Sequence, residues 1–172
     1  MYLKKLSKIL VIIGLIFLIT SFKTIYYKYN SDYVTTDTYC VKNIISNNML
    51  IIDKINFKHV LYEVNNKYNN LKYGLEIIKN TDYPDKSNLL MIAGHSGNSN
   101  KALFNDLIDL RINDEIKLIY DNKTYIYKIT DYYKIEKTGY IKLPVYSNKT
   151  IVLITCDQID KSKQIVYIGK TL

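Results

Sequence analysis

TIVLITCDQIDKSKQIVYIGK, residues 150–170, carries the clearest architectural signal in the chain. TIVLIT (150–155) is an unbroken run rich in β-branched residues, short enough to be a strand buried on both faces. QIVYIGK (164–170) is a second such run, and a polar loop joins the two. Cys156, one of only two cysteines, stands where the first strand stops.

Upstream, other segments carry the same signal. LIIDKINF (50–57) and HVLYEV (59–64) read as strands, followed by NNKYNNLKYG (65–74), whose asparagines and Gly74 mark turns. LLMIAG (89–94) is an apolar run ended by glycine, with His95 immediately after it. ALFNDLIDL (102–110) sets Leu103, Phe104, Leu107 and Leu110 on one stripe, predicting a short helix or helical turn. EIKLIYD (115–121) and TYIYKITDYYKIE (124–136) flank a turn and predict a hairpin. Many short strands with one short helix point to a barrel or sandwich. The composition agrees: 48% apolar, 23% charged, six glycines, two prolines and eighteen tyrosines describe a globular, strand-rich body.

The net charge of +8 is unevenly spread. Lys4, Lys5, Lys8, Lys23 and Lys28 lie in the first thirty residues without an acid. The rest of the chain then has 19 of the 24 basic residues against 16 acidic ones. That balance, without an arginine cluster or a glycine-aromatic RNA motif, argues against nucleic acid as a partner. ILVIIGLIFLITSF (9–22) is charge-free behind three lysines, and Tyr26 and Tyr27 supply an interfacial belt. Its core covers about 21 Å of the roughly 30 Å a bilayer demands, so a spanning helix over about 7–27 requires Lys23 to snorkel. With no small-residue cleavage site behind it, the run reads as an uncleaved anchor with its N-terminus inside the cell. The expected organisation is a cytoplasmic basic end and transmembrane anchor (1–28), an extracellular stalk (29–48) and an exported domain (49–172).

Cys156 and His95 are the candidates for chemistry, each at the end of an apolar strand. An imidazolium beside a thiol stabilises the thiolate, which attacks an acyl carbon, and the imidazolium can protonate a departing amine. Taken singly, a strand-end cysteine also reads as an inert small hydrophobe, and a histidine after glycine as a turn residue. His59 is in phase with Phe57 and Leu61 and reads as a packed or edge histidine. Two distant cysteines and two histidines give no zinc spacing, and no dense carboxylate loop for calcium is present, so neither metal nor cofactor is expected. A disulfide between Cys40 and Cys156 would silence the candidate nucleophile.

LITC (153–156), its polar loop and terminal strand, together with IAGHSG (92–97), resemble the sortase family of Gram-positive cell-surface transpeptidases. The likeness covers about residues 50–172. LIIDKI (50–55) is similar to the family's first strand, with Asp53 where proline is usual. LFNDLIDLRINDEIKL (103–118) is similar to the block after the histidine, with Asn113 in place of a customary glycine. Asparagine tolerates left-handed backbone angles there.

The resemblance implies a closed eight-stranded barrel with one or two short helices. It implies that Cys156 attacks the threonine carbonyl of a Leu-Pro-x-Thr-Gly-like sorting signal, that His95 protonates the leaving amine, and that an amine of a cell-wall precursor or a pilin lysine resolves the thioester. Thr155 is a possible cleft residue. The family's third residue, an arginine on the last strand, is missing; the alignment puts Gln164 there, with Lys163 beside it, and the single arginine, Arg111, lies elsewhere. Glutamine keeps an N–H donor without the charge or the fork. The alternatives are a weak or silent peptide-binding module, or a thiol hydrolase using water.

Overall fold

The structure is a computed structural model that describes residues 48–138, Tyr140, Ile141, Leu143 and residues 148–171, with Gly14, Phe17, Leu18, Thr20 and Ser21 near the N-terminus. The chain divides into two units, Met1–Ile45 and Ser46–Leu172. In the first, the five described residues are helical and exposed, and the Thr20 hydroxyl donates to the Phe17 carbonyl at 2.9 Å. Among the described residues no helix is long and apolar enough to cross a membrane. The rest of the expected anchor and nearly all of the stalk lie outside the described residues.

The second unit is one sheet of eight strands. They are β1 (Met49–Ile52), β2 (Phe57–Val60), β3 (Leu75–Ile77), β4 (Leu89–Gly94), β5 (Glu115–Tyr120), β6 (Lys123–Glu136), β7 (Thr150–Cys156) and β8 (Lys163–Thr171). Their order is β2-β1-β5-β6-β8-β7-β4-β3. The β4–β7 ladder is parallel and the other six are antiparallel. β6 pairs first with β5 and then with β8, and a register shift between Ile129 and Asp131 bends it from one ladder to the next.

The expected closed barrel is corrected to a curled sheet, a half-barrel, because β2 and β3 end the order and no ladder joins them. A side chain closes the β3 edge instead. Asn69 Oδ1 accepts from Ile77 N–H at 2.7 Å, and its Nδ2 donates to Ile77 O at 3.0 Å, so the amide takes the backbone groups a neighbouring strand would use.

Two strand boundaries also differ from expectation. LIIDKINF is broken by a 3₁₀ turn at Asp53–Ile55, and Asn56 follows at φ 51°, left-handed geometry that asparagine accepts. The second strand stops at Val60, and Leu61 N–H still donates to Asn48 O at 2.8 Å, in register with the β1–β2 ladder. Asn113 does adopt a left-handed φ, 75°.

The stripe at 102–110 becomes a 3₁₀ helix, Asn105–Asp109. Phe104, Leu107 and Leu110 are buried at three-residue intervals, the repeat of a 3₁₀ turn. With Asp53–Ile55 and Leu71–Tyr73, three such turns occur among the described residues of this unit.

TIVLIT is buried throughout because both faces of β7 are covered. Ile151 and Leu153 enter the main core with Leu50, Ile92, Phe104, Ile165 and Tyr167. Val152 and Ile154 join Val166 and Ile168 in a second cluster, which Leu89, Met91, Tyr133 and Ile135 border from the sheet. Ile141 and Leu143, between β6 and β7, also pack on it. Full burial of each aliphatic side chain contributes about 1.5–3 kcal/mol, so this central strand is firmly held.

Candidate active site

The parallel β4–β7 ladder brings the two candidates together. Its last register pair is Ala93 with Ile154, and the next residues, Gly94 and Thr155, are joined by the Thr155 hydroxyl donating to Gly94 O at 3.0 Å. One step on stand His95 and Cys156. The Ser96 hydroxyl then donates to Cys156 O, so hydrogen bonds pin the two segments before and after this step. Strand alternation places the Cys156 side chain on the face of Val152 and Ile154. Cys156 is a half-buried free thiol and His95 is exposed, so the thiol is sheltered and the imidazole is open to solvent.

Gln164 is the register partner of Cys156 across β7 and β8 and is half-buried. Directly opposed residues of an antiparallel pair share a face, which brings the amide alongside the sulfur. Lys163 pairs instead with Glu136, and its ammonium lies 3.2 Å from Asp160 and 4.0 Å from Glu136. Thr155 is buried, with its hydroxyl committed to β4, so it orders the step between the strands. Arg111 donates through Nη1 to Ile108 O and Leu110 O, at 2.7 and 2.8 Å, closing the end of the 3₁₀ helix.

His59 lies on β2, paired with Leu50 of β1. Its Nδ1 is 2.7 Å from Val60 O, and its ring stacks on Phe57. Burial lowers its pKa below the usual histidine value, against a smaller opposing effect of the Val60 carbonyl. Among the tyrosines of the later strands and loops, Tyr132 stacks on Tyr167, Tyr133 packs on the second cluster and Tyr140 is exposed. Tyr146 lies outside the described residues.

Several residues near the site have no mark in the sequence. Asp157, directly after the candidate nucleophile, is fully buried, with Lys134 of β6 2.6 Å from Oδ2 and Ile159 N–H donating to Oδ1 at 2.9 Å. The Lys134 ammonium, with that amide, holds the carboxyl below its ordinary pKa. A carboxylate after a strand reads as a loop residue, and a partner 23 positions away becomes visible only once β6, β8 and β7 lie side by side. In the same loop, Ser162 and Lys163 hold Asp160 at about 2.

The class defined by these features is a curled β-sheet protein with a cysteine and a histidine at the ends of adjacent parallel strands. The family model described as Sortase domain matches residues 50–171, and the chain belongs to the sortase family. Sortases are generally cysteine transpeptidases of the cell surface. The fold is similar to sortase C1 from Streptococcus suis, with a TM-score of 0.63 and 22% identity over 72% of this chain and 71% of that one. It is also similar to a Clostridium perfringens sortase D5 transpeptidase, with a TM-score of 0.59 and 22% identity over 73% and 78%. Listeria monocytogenes sortase A gives a TM-score of 0.60 and 22% identity over 73% and 86%. At such identities the likeness is one of fold. No curated protein matches the chain.

Proposed function

We propose that this chain is a membrane-anchored cysteine transpeptidase that acts outside the cell on a Leu-Pro-x-Thr-Gly-like sorting signal. The observation carrying this reading is the His95–Cys156 step, fixed by the Gly94–Thr155 and Ser96–Cys156 hydrogen bonds. In the first half-reaction the Cys156 thiolate forms a C–S bond to the threonine carbonyl carbon. The tetrahedral intermediate expels the glycine amine as the C–N bond breaks, and His95 gives that amine its proton. In the second, an amine of a cell-wall precursor or a pilin lysine attacks the thioester, His95 accepts its proton, and the C–S bond breaks to restore the thiolate. Gln164, beside the sulfur, is the favoured donor to the oxyanion; the Asp160 and Glu136 contacts of Lys163 make it the weaker choice. The N-terminal apolar run would supply the anchor.

The test is product analysis of the full chain, in detergent, with a sorting peptide and an added amine. Ligated product that forms in the wild type and is absent in Cys156→Ala is expected. Cleaved but unligated peptide would turn the reading to a hydrolase. A second reading, a catalytically silent peptide-binding module, is favoured by the neutral Gln164 at the arginine position. Peptide binding unchanged in Cys156→Ala, with no turnover in the parent, would establish it.

A further inference from the structure

The loop after His95 and the loop after Cys156 meet on one residue that neither sequence motif contains. Gly97 has φ +116°, a backbone state L side chains rarely adopt, and both of its peptide groups are held by Asn105. Its N–H donates to Asn105 Oδ1 at 2.7 Å, and its carbonyl accepts from Asn105 Nδ2 at 3.0 Å. The carbonyl of Asn105 accepts from Gln158 Nε2 at 2.8 Å, across 53 residues of chain. One residue earlier, Phe104 N–H donates to His95 O at 2.9 Å. Buried Phe104 and Leu107 root this short segment in the core, so it is a fixed post to which both loops are tied.

We infer that Asn105 is a positioning residue, which holds the His95 loop through Gly97 and the Cys156 loop through Gln158 and so keeps the imidazole in register with the sulfur. The inference rests on the reading of His95 and Cys156 as a working pair. The amide suits this role because it presents one acceptor and one donor in a plane, matched to the N–H and C=O of a single glycine. Aspartate at this position would keep the acceptor and lose the donor. A displacement of about 1 Å between reacting groups can cost about a hundredfold in rate, so slackening the post is expected to reduce turnover without loosening peptide binding.

The experiment uses the full chain in detergent, as wild type, Asn105→Ala, Asn105→Asp, Gln158→Ala and His95→Gln, with a thermal melt of each. Iodoacetamide alkylation of Cys156 is followed by peptide mass mapping across pH, and kcat and KM are measured with a sorting peptide. His95→Gln is expected to change the pH profile of alkylation. Asn105→Ala should change it in the same direction and lower kcat by about tenfold to a hundredfold with little change in KM. Asn105→Asp and Gln158→Ala should fall between it and the wild type, and they carry the test if Asn105→Ala does not fold.

A profile that responds to His95→Gln and stays wild-type in the Asn105 and Gln158 variants overturns the inference and leaves the catalytic pair standing. A profile unmoved even by His95→Gln overturns both. Profiles that respond to His95→Gln and Asn105→Ala in a chain that never acylates support the positioning role while the transpeptidase reading fails.

Discussion

Cys156 and Gln164 form the last register pair of the β7–β8 ladder, so the glutamine, which the sequence resemblance sets against the family's arginine, stands directly across from the thiol. The backbone is therefore in place for a cation that the sequence does not supply. Removing one preorganised oxyanion donor costs about 100- to 1,000-fold in other enzymes, and an arginine fork offers more donors than an amide. Gln164→Arg is expected to raise the rate of peptide acylation by about tenfold or more, and Gln164→Ala to lower it. Stopped-time mass measurement of the acylated chain checks both. Equal rates in all three would remove this position from the mechanism.

Gly94 ends β4 just before His95, and the strand has no room there for a methyl group. A Cβ would lie 2.5 Å from Phe104 Cδ2 and 2.8 Å from Leu75 Cδ2. Both belong to the main core, so neither can swing aside freely. Gly94→Ala is expected to cost about 1–3 kcal/mol by overpacking. Urea denaturation measures it, and an unchanged midpoint would contradict the packing described.

His59 is expected to make the stability of the fold sensitive to acid. Burial lowers the folded pKa of His59, so the unfolded chain takes up that proton first as pH falls. The stabilisation is complete above the unfolded value, about 6.5, and is lost as pH drops through the folded value. His59→Phe should flatten the dependence of Tm on pH in that window while leaving acylation in place. A slope that survives the substitution would assign it to another group.

Asp157 gives the corresponding prediction for a carboxylate. Its folded pKa is lowered by Lys134, so its contribution is complete above the ordinary carboxylate value, about 4, and is lost as pH falls through the folded one. Lys134→Met leaves a buried carboxylate without its cation and should lower Tm more than the double variant Lys134→Met/Asp157→Asn does. Additive losses in the two single variants would mean that the pair is not coupled.

The strands were legible where burial is extreme or alternation is long. LLMIAG and TIVLIT occur as read, because strands covered on both faces have few alternatives to being apolar. Leu75–Ile77 was not anticipated; three residues carry too little pattern, and its edge is completed by an asparagine side chain rather than by a strand. Closure of the sheet was overstated for a related reason. A resemblance in motifs fixes strand order near the motifs and says little about whether the outermost strands meet. Cys156, His95 and Gln164 were singled out as candidates from strand ends and the resemblance, and the register sets Gln164 opposite Cys156 and the end of β4 beside that of β7. Asn105, Gln158, Lys134 and Asp157 were not, because their roles depend on contacts between segments far apart in the chain.

The central claim is that Cys156 becomes acylated with the assistance of His95. The most direct measurement is the intact mass of the full chain after incubation with a set of sorting peptides, with the adduct mapped to a residue and cleaved by hydroxylamine. The expected result is a thioester on Cys156 carrying the peptide up to its threonine, absent in Cys156→Ala and formed far more slowly in His95→Gln. A folded chain that shows no adduct across a broad peptide set, or one that acylates equally well in His95→Gln, would contradict the account.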